Sequence, residues 1–360
     1  MLFKRHKHYV RLRKRKKEKT EFVFDIGLGI LRLTLAFLVV ISHCYNFELA
    51  TGIWKEIIKK TETVSFHVRV FFMMSFYFSY KTLVSSNYKK IFDRFLRLLI
   101  PYILWPIIIL LLNNNLLIKF SKIKKRIFTK KDLKYQLLTA SGYMLILWFQ
   151  WNLIFVTILY IIIILLFKRF LNLILILMAI TAFIYQYNGK NQKYFAKYPY
   201  FELHNYGRIL ELIPYSVAGF LISSSGIIKF FKKFRLKTII TCLYIIYFIL
   251  YYDIFTKING HMYQGVKMFL VSICIFIIFA MFPSEIIKNK IIIKIIKQLT
   301  NHTAGVYYLH INLYEYLYDY NIHIKNRTIK GCMINYLICY LICFIGSFIF
   351  GKTKLRSLFE

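Results

Sequence analysis

The sequence predicts an all-α membrane protein, a polytopic bundle of about ten transmembrane helices with both termini in the cytoplasm. Three observations carry that prediction. The 360 residues are 58% hydrophobic and 19% aromatic, and a mean hydropathy of +0.53 is too high for a soluble chain whose surface must be covered by polar groups. Apolar runs of roughly 20 residues, the length needed to cross the hydrocarbon core, recur along the chain. The formal net charge of +36, from 51 basic and 15 acidic residues, collects in the short segments between those runs, as in the cytoplasmic loops of a plasma or inner membrane protein. Nucleic acid, the other common partner of such charge, needs a basic soluble face with interleaved aromatics. The chain has almost no soluble part to supply one.

Residues 1–25 are a basic tail, and ten of the first twenty are Lys or Arg. No small-residue cleavage pattern follows the next apolar run, so the tail reads as a cytoplasmic orientation signal rather than a removable signal peptide. Spans are predicted at 26–46, 64–84, 98–117, 146–166, 171–187, 208–225, 238–255, 265–282, 301–319 and 332–350. They form one membrane domain, 26–350, followed by a cytoplasmic tail, 351–360. An even count returns the C-terminus to the side of the basic tail. The links KKIFDRFLR (89–97), FKRF (167–170), KFFKKFRLK (229–237), Lys288 to Lys297 and the terminal GKTKLR then lie on that side too. The segment 119–135, containing SKIKKRIFTKKDLKY, falls on the opposite side under this count, against the positive-inside tendency, which leaves two readings, an interfacial amphipathic helix or a different number of spans. Trp148 and Trp151 flank a membrane boundary and read as interface anchors. The six cysteines all lie within apolar runs without CxxC pairing, which makes them small hydrophobes. No metal and no bound cofactor are expected.

Several spans hold ionisable groups. The first carries Arg32 and His43; eleven helical residues advance the azimuth by about three turns plus 20° and rise about 16 Å, so the two share one face half a bilayer apart. An intramembrane arginine costs at least a few kcal/mol, which favours a face turned to a bundle interior or a wet cavity over one turned to lipid. The alternative is that Arg32 snorkels to headgroups while His43 marks the far interface. Span 2 carries His67, Arg69 and Ser75; span 6 carries Arg208 and Glu211 one turn apart, by themselves a local ion pair; span 9 carries His310 and Glu315.

The succession RLTLAFLVVISH, FFMMSFYFSY, DRFLRLLIPY, LWFQWNLIF and AGVYYLHINLY resembles, in order and spacing and over nearly the whole chain, the membrane-bound acyltransferase-3 family. Its most specific parts are the arginine followed eleven residues later by histidine, here Arg32 and His43, and the Arg-x-x-Arg then Pro-Tyr signature, here Arg94, Arg97, Pro101 and Tyr102. Two positions depart from the family pattern. Ser75 is followed by Phe76 where a Ser-Gly pair is usual, removing a point of close approach, and Arg69 stands where a proline is common.

The resemblance implies transfer of an acyl group, commonly acetyl, from a cytoplasmic thioester donor to a hydroxyl of a glycan or lipid-linked glycan. Acetyl-CoA is then a donor substrate rather than a bound cofactor. Histidine is the side chain that supplies a base near neutral pH without heavy perturbation. His43 is therefore the expected catalytic residue, either as general base or as transient acyl carrier, with Arg32 beside it. Arg94 and Arg97, three residues apart on one helical face, suit donor phosphates. Ser75, Arg69, Glu211, His310 and Glu315 are secondary pocket residues. The competing reading is a transporter or flippase for a glycan-lipid precursor, using the same charges as relay or substrate contacts. Five prolines and no discernible repeat offer it little. There is no phosphate loop of an NTPase and no GxSxG turn of a serine hydrolase.

Overall fold

The computed structural model describes residues 25–44, 66–85, 87–112, 134, 137, 147–187, 202–255, 261–283, 286–319 and 329–359, and among them there is no strand. The helices are α1 (Ile26–Cys44), α2 (Phe66–Leu83), α3 (Tyr88–Leu112), α4 (Leu147–Phe167), α5 (Leu171–Tyr187), α6 (Glu202–Ser225), α7 (Ile227–Lys233), α8 (Arg235–Phe255), α9 (His261–Ala280), α10 (Lys290–Asn301), α11 (Thr303–Asp319) and α12 (Ile329–Phe350), with 3-10 turns at Lys168–Phe170 and Lys354–Leu358. Each of the ten apolar segments read from the sequence falls on a helix; α7 and α10 are additional. The segment 119–135 lies, apart from Lys134, outside the described residues.

Three stretches, Ile26–His43, Leu147–Tyr185 and Lys330–Phe350, are long and apolar enough to cross a membrane by themselves, and a fourth arises if α6 and α7, bent by 69°, count together. Elsewhere ionisable side chains such as Arg69 and Arg94 dilute the apolar runs. The second stretch folds back on itself. A straight helix would hold Tyr160 and Phe183 about 34 Å apart, yet the Tyr160 hydroxyl is 3.2 Å from Ser216 Oγ while Phe183 packs on Phe269, which also packs on Tyr215. The reversal occurs at Lys168–Phe170, where the helical ladder is broken after Phe167. Sequence expectation and structure agree here on two antiparallel helices.

α1, α4, α6 and α9 pack around α2. Without a water-driven hydrophobic effect between helices in lipid, close approach of small residues supplies the packing. Gly219 on α6 meets the Met73 backbone carbonyl of α2, and Gly27 on α1 meets the Phe279 carbonyl of α9; a Cβ at either position would overlap that oxygen. The close approach that a glycine after Ser75 would have provided is thus supplied from the opposing helix. Phe76 instead is fully buried, with ring centroids 4.8 Å from Tyr160 and 5.3 Å from Phe72. Phe76→Gly, which would restore the family's usual pair, is expected to destabilise the bundle by about 3 kcal/mol or more, because it empties that aromatic cluster. A thermal melt in detergent measures it.

Gly226, with φ of 63°, adopts the left-handed conformation that glycine tolerates and bends the chain from α6 into α7. The lysine-rich stretch 288–297, read from sequence as a link, is largely the helix α10. Asn289 starts it, its Oδ1 accepting from the backbone N–H of Ile291 at 2.8 Å and of Ile292 at 3.4 Å, an N-cap. Thr300 is buried, Ile291, Ile292, Ile295 and Leu299 are exposed, and Lys290, Lys294 and Lys297 share the remaining face. That three-way division, protein, apolar and cationic, suits a helix lying in a membrane interface. α10 packs along α1 and leads directly into α11.

Candidate functional site: a guanidinium-lined cavity and a histidine pair

Pro101 and Pro106 lie inside α3, where each lacks the N–H that would continue the helical ladder. Gln150 of α4 donates from Nε2 to the nearby Leu98 carbonyl at 2.9 Å, tying α4 to this weakened stretch. α3 begins at Tyr88, ten residues before the predicted span, so Arg94 and Arg97 are both helical. Arg94 is drawn into the bundle, its Nη2 donating to Ser75 Oγ at 3.1 Å and to the Ser75 carbonyl at 3.3 Å. Its Nε is buried without a protein partner. The Ser75 carbonyl also accepts the Ser79 hydroxyl.

Arg94, Arg97, Ser75 and Arg32 line one cavity of about 810 Å³, a size typical of sites for nucleotide-sized or smaller ligands. The starts of α1, α3 and α11 and the chain after α12 surround one end of it; Phe149, Gln150, Leu153 and Tyr307 line its inner reach. Arg32 is half-buried and lies within electrostatic reach of the Tyr340 hydroxyl, next to the point where Tyr336 donates to the Leu33 carbonyl at 3.0 Å. Arg32 is therefore turned toward other helices and a cavity, whereas His43, which the spacing argument puts on the same face, does not line that cavity.

His43 sits near the far end of α1. Its ring is exposed and its centroid lies 5.3 Å from that of His310, tilted by 47°. His310 is fully buried. Its Nδ1 is 2.7 Å from the Tyr307 carbonyl and 3.1 Å from the Val306 carbonyl. Carbonyls only accept, so Nδ1 carries the proton and Nε2 holds a lone pair. That Nε2 is buried with no partner. Tyr307 joins the two halves of the site, lining the cavity while its ring lies 6.0 Å from His310. His67 is also buried.

The secondary residues divide. Ser75 and His310 join the two features just described. Arg69 lies 5.9 Å over the Tyr215 ring, and Glu211 is exposed and within electrostatic reach of Arg208 and Tyr215; both flank the site and do not line the cavity. The Glu315 side chain lies outside the described residues. Where the sequence suggests an ion pair of Arg208 with Glu211, the guanidinium of Arg208 instead sits 4.5 Å from the Trp148 ring centroid, a cation–π contact that gives this tryptophan a partner beyond the interface. Sequence reasoning passed over Gln150, Lys354 and Arg356, and it took in Tyr307 only as the start of the tyrosine-rich run YYLHINLYEYLYDY, a wall for an acceptor groove or an aromatic belt. Gln150, a polar residue in the middle of an apolar run, was the one with a readable signal. Among the described residues no cluster of metal-binding side chains occurs.

The helices thus bring together a guanidinium-lined cavity and, next to its Tyr307 wall, a pair of imidazoles. The chain belongs to the acyltransferase-3 family, whose model, described as an acyltransferase domain, matches residues 25–352. No curated protein and no solved structure matches. The protein is thus an acyltransferase of the membrane, with an acyl donor and an acyl acceptor, and the family gives no support to a transporter.

Proposed function

We propose that the protein transfers an acetyl group from acetyl-CoA, entering from the cytoplasmic side, to a hydroxyl of a cell-surface or lipid-linked glycan, as a multi-pass protein of the plasma or inner membrane. The single observation supporting this reading is that Arg32, Arg94, Arg97 and Tyr307 line one cavity, with the Tyr307 ring 6.0 Å from His310 and the His310 ring 5.3 Å from His43. Arg94 and Arg97 hold donor phosphates, for which the guanidinium fork is suited. Arg32 stands deeper, toward the thioester arm. His43 takes the acceptor hydroxyl proton as the oxygen attacks the thioester carbonyl, and the thiolate leaves with CoA. The same imidazole could instead carry the acyl group in between. In either route His310, whose ring lies 5.3 Å from that of His43 and whose Nε2 has no partner, is the group placed to accept the other N–H of His43 on a small ring rotation, which would keep one nitrogen of His43 free for chemistry.

The direct test is mass spectrometry of surface glycans from cells with and without the protein. Loss of O-acetyl groups at unchanged glycan amount is the expected result; loss of the glycan itself would point to transport instead. In the purified enzyme, Arg94→Ala is expected to raise the apparent KM for acetyl-CoA by about tenfold, the value of one charge-assisted contact, with little change for the acceptor. Equal changes in both would count against a phosphate contact.

A further inference from the structure

We propose that the C-terminal segment after α12 completes the donor cavity as a phosphate clamp, with Lys354 and Arg356 binding the nucleotide phosphate farthest from the thioester. The proposal rests on the acyl-CoA reading above, but the segment itself lies beyond the region matched to the family, which ends at residue 352. Nothing in the family match assigns it.

The segment is built to stay in place. Thr353 donates its hydroxyl to the Phe350 carbonyl at 2.8 Å and accepts from the Leu355 N–H at 3.2 Å, which turns the chain back at the end of α12 into the 3-10 turn Lys354–Leu358. Leu358 and Phe359 are buried. The Phe359 ring lies parallel to Phe350, within 4°, at 5.9 Å, and edge-on to Trp105 of α3 at 5.9 Å. Two glycines make its slot: a Cβ on Gly305 of α11 would come within 2.9 Å of the Phe359 carbonyl oxygen, and one on Gly346 of α12 within 2.5 Å of its ring. Three helices thus hold the last aromatic residue.

The consequence of that anchor is electrostatic. It sets Thr353, Lys354 and Arg356 into the wall of the cavity that Arg94 and Arg97 line from α3 and Arg32 from α1. Five basic side chains and one acidic one, Asp93, then surround a single space of about 810 Å³. Arg94 and Arg32 are drawn inside the bundle, whereas Lys354 and Arg356 are exposed and follow the end of α12, so they stand at the mouth. Such an uneven gathering of cations is favourable when a polyanion fills it. For a donor whose thioester points inward to Arg32 and Tyr307, the groups left at the mouth are those of the nucleotide, of which the ribose 3′-phosphate is the most remote.

The experiment compares acetyl-CoA with acetyl-3′-dephospho-CoA and acetyl-pantetheine in turnover by the purified full chain, alongside equilibrium binding of CoA and 3′-dephospho-CoA. The wild-type protein is expected to favour the 3′-phosphorylated donor by about tenfold in kcat/KM. Lys354→Ala with Arg356→Ala should erase most of that preference, lowering kcat/KM for acetyl-CoA toward the value for acetyl-3′-dephospho-CoA and changing acetyl-pantetheine turnover far less. Phe359→Ala, which frees the anchor, should do the same. Because Lys354 and Arg356 are exposed, the double variant keeps the fold, and a thermal melt verifies it. A double variant that still discriminates as the wild type does overturns the clamp and leaves the acyl-CoA reading standing. A wild-type protein that binds neither CoA nor its dephospho form overturns the acyl-CoA reading, and the clamp with it.

Discussion

His43→Ala is expected to lower acyl transfer by about 10²–10⁴-fold, the range contributed by a positioned acid or base, or more if the imidazole carries the acyl group, with the protein still folded. The folded-state expectation follows from exposure: the His43 ring is open at the surface, and its removal creates no core cavity. The catalytic expectation follows from what lies behind it. His310 has its Nδ1 proton committed to the carbonyls of Tyr307 and Val306, at 2.7 Å and 3.1 Å, and its buried Nε2 has no protein partner. A buried acceptor left open calls for an explanation, and the His43 ring lies 5.3 Å from that of His310. Radiolabel transfer from acetyl-CoA by protein in detergent or nanodiscs measures the activity; size-exclusion chromatography and a thermal melt report the fold. Activity within tenfold of wild type would sink the assignment of His43.

Gly219→Val is expected to abolish the native bundle. The new Cβ would coincide with the Met73 carbonyl oxygen of α2, and that oxygen is part of a helical backbone which cannot move without displacing Phe72, Met74 and Phe76, all buried. The branched side chain also adds volume to a closely packed seam, and overpacking alone costs about 1–3 kcal/mol. The expected readout is loss of the monodisperse peak after extraction and a lowered melting temperature. Gly226→Ala is the contrast. A Cβ there meets open space, so only the left-handed backbone, with φ of 63°, is penalised, by about 1–2 kcal/mol, and the protein should remain folded. Comparable behaviour of the two variants would mean that the α2–α6 seam is not the point of closest packing.

Much of the helical plan was legible because hydrocarbon imposes one simple demand, a run of apolar residues with its backbone hydrogen bonds made internally. That is why the segment 171–187 could be separated from 146–166 by four residues, FKRF, alone. α10 escaped notice as a helix because its lysines recur at a spacing of three to four, so a count of charges saw a link where the pattern spells an amphipathic face. The replacement of glycine by Phe76 read as a lost close approach, since one strand of sequence cannot show that Gly219, more than a hundred residues later, provides it from the other side.

For the site, Arg32, His43, Arg94 and Arg97 stood out because ionisable groups in or beside apolar runs are costly and therefore informative. Tyr307 did not, being one tyrosine among 29, and Lys354 and Arg356 looked like an ordinary basic tail. By itself, then, the sequence determined the helical class, the place of each apolar run and the ionisable residues that cannot be left in lipid, because these depend on composition and local periodicity. Only the tertiary structure decided which of those charges share a cavity, which imidazole lies against which, and that the end of the chain folds back into the wall. Those are contacts between residues distant in sequence, made by side-chain shape and by the glycines that let backbones meet, and neither leaves a periodic mark.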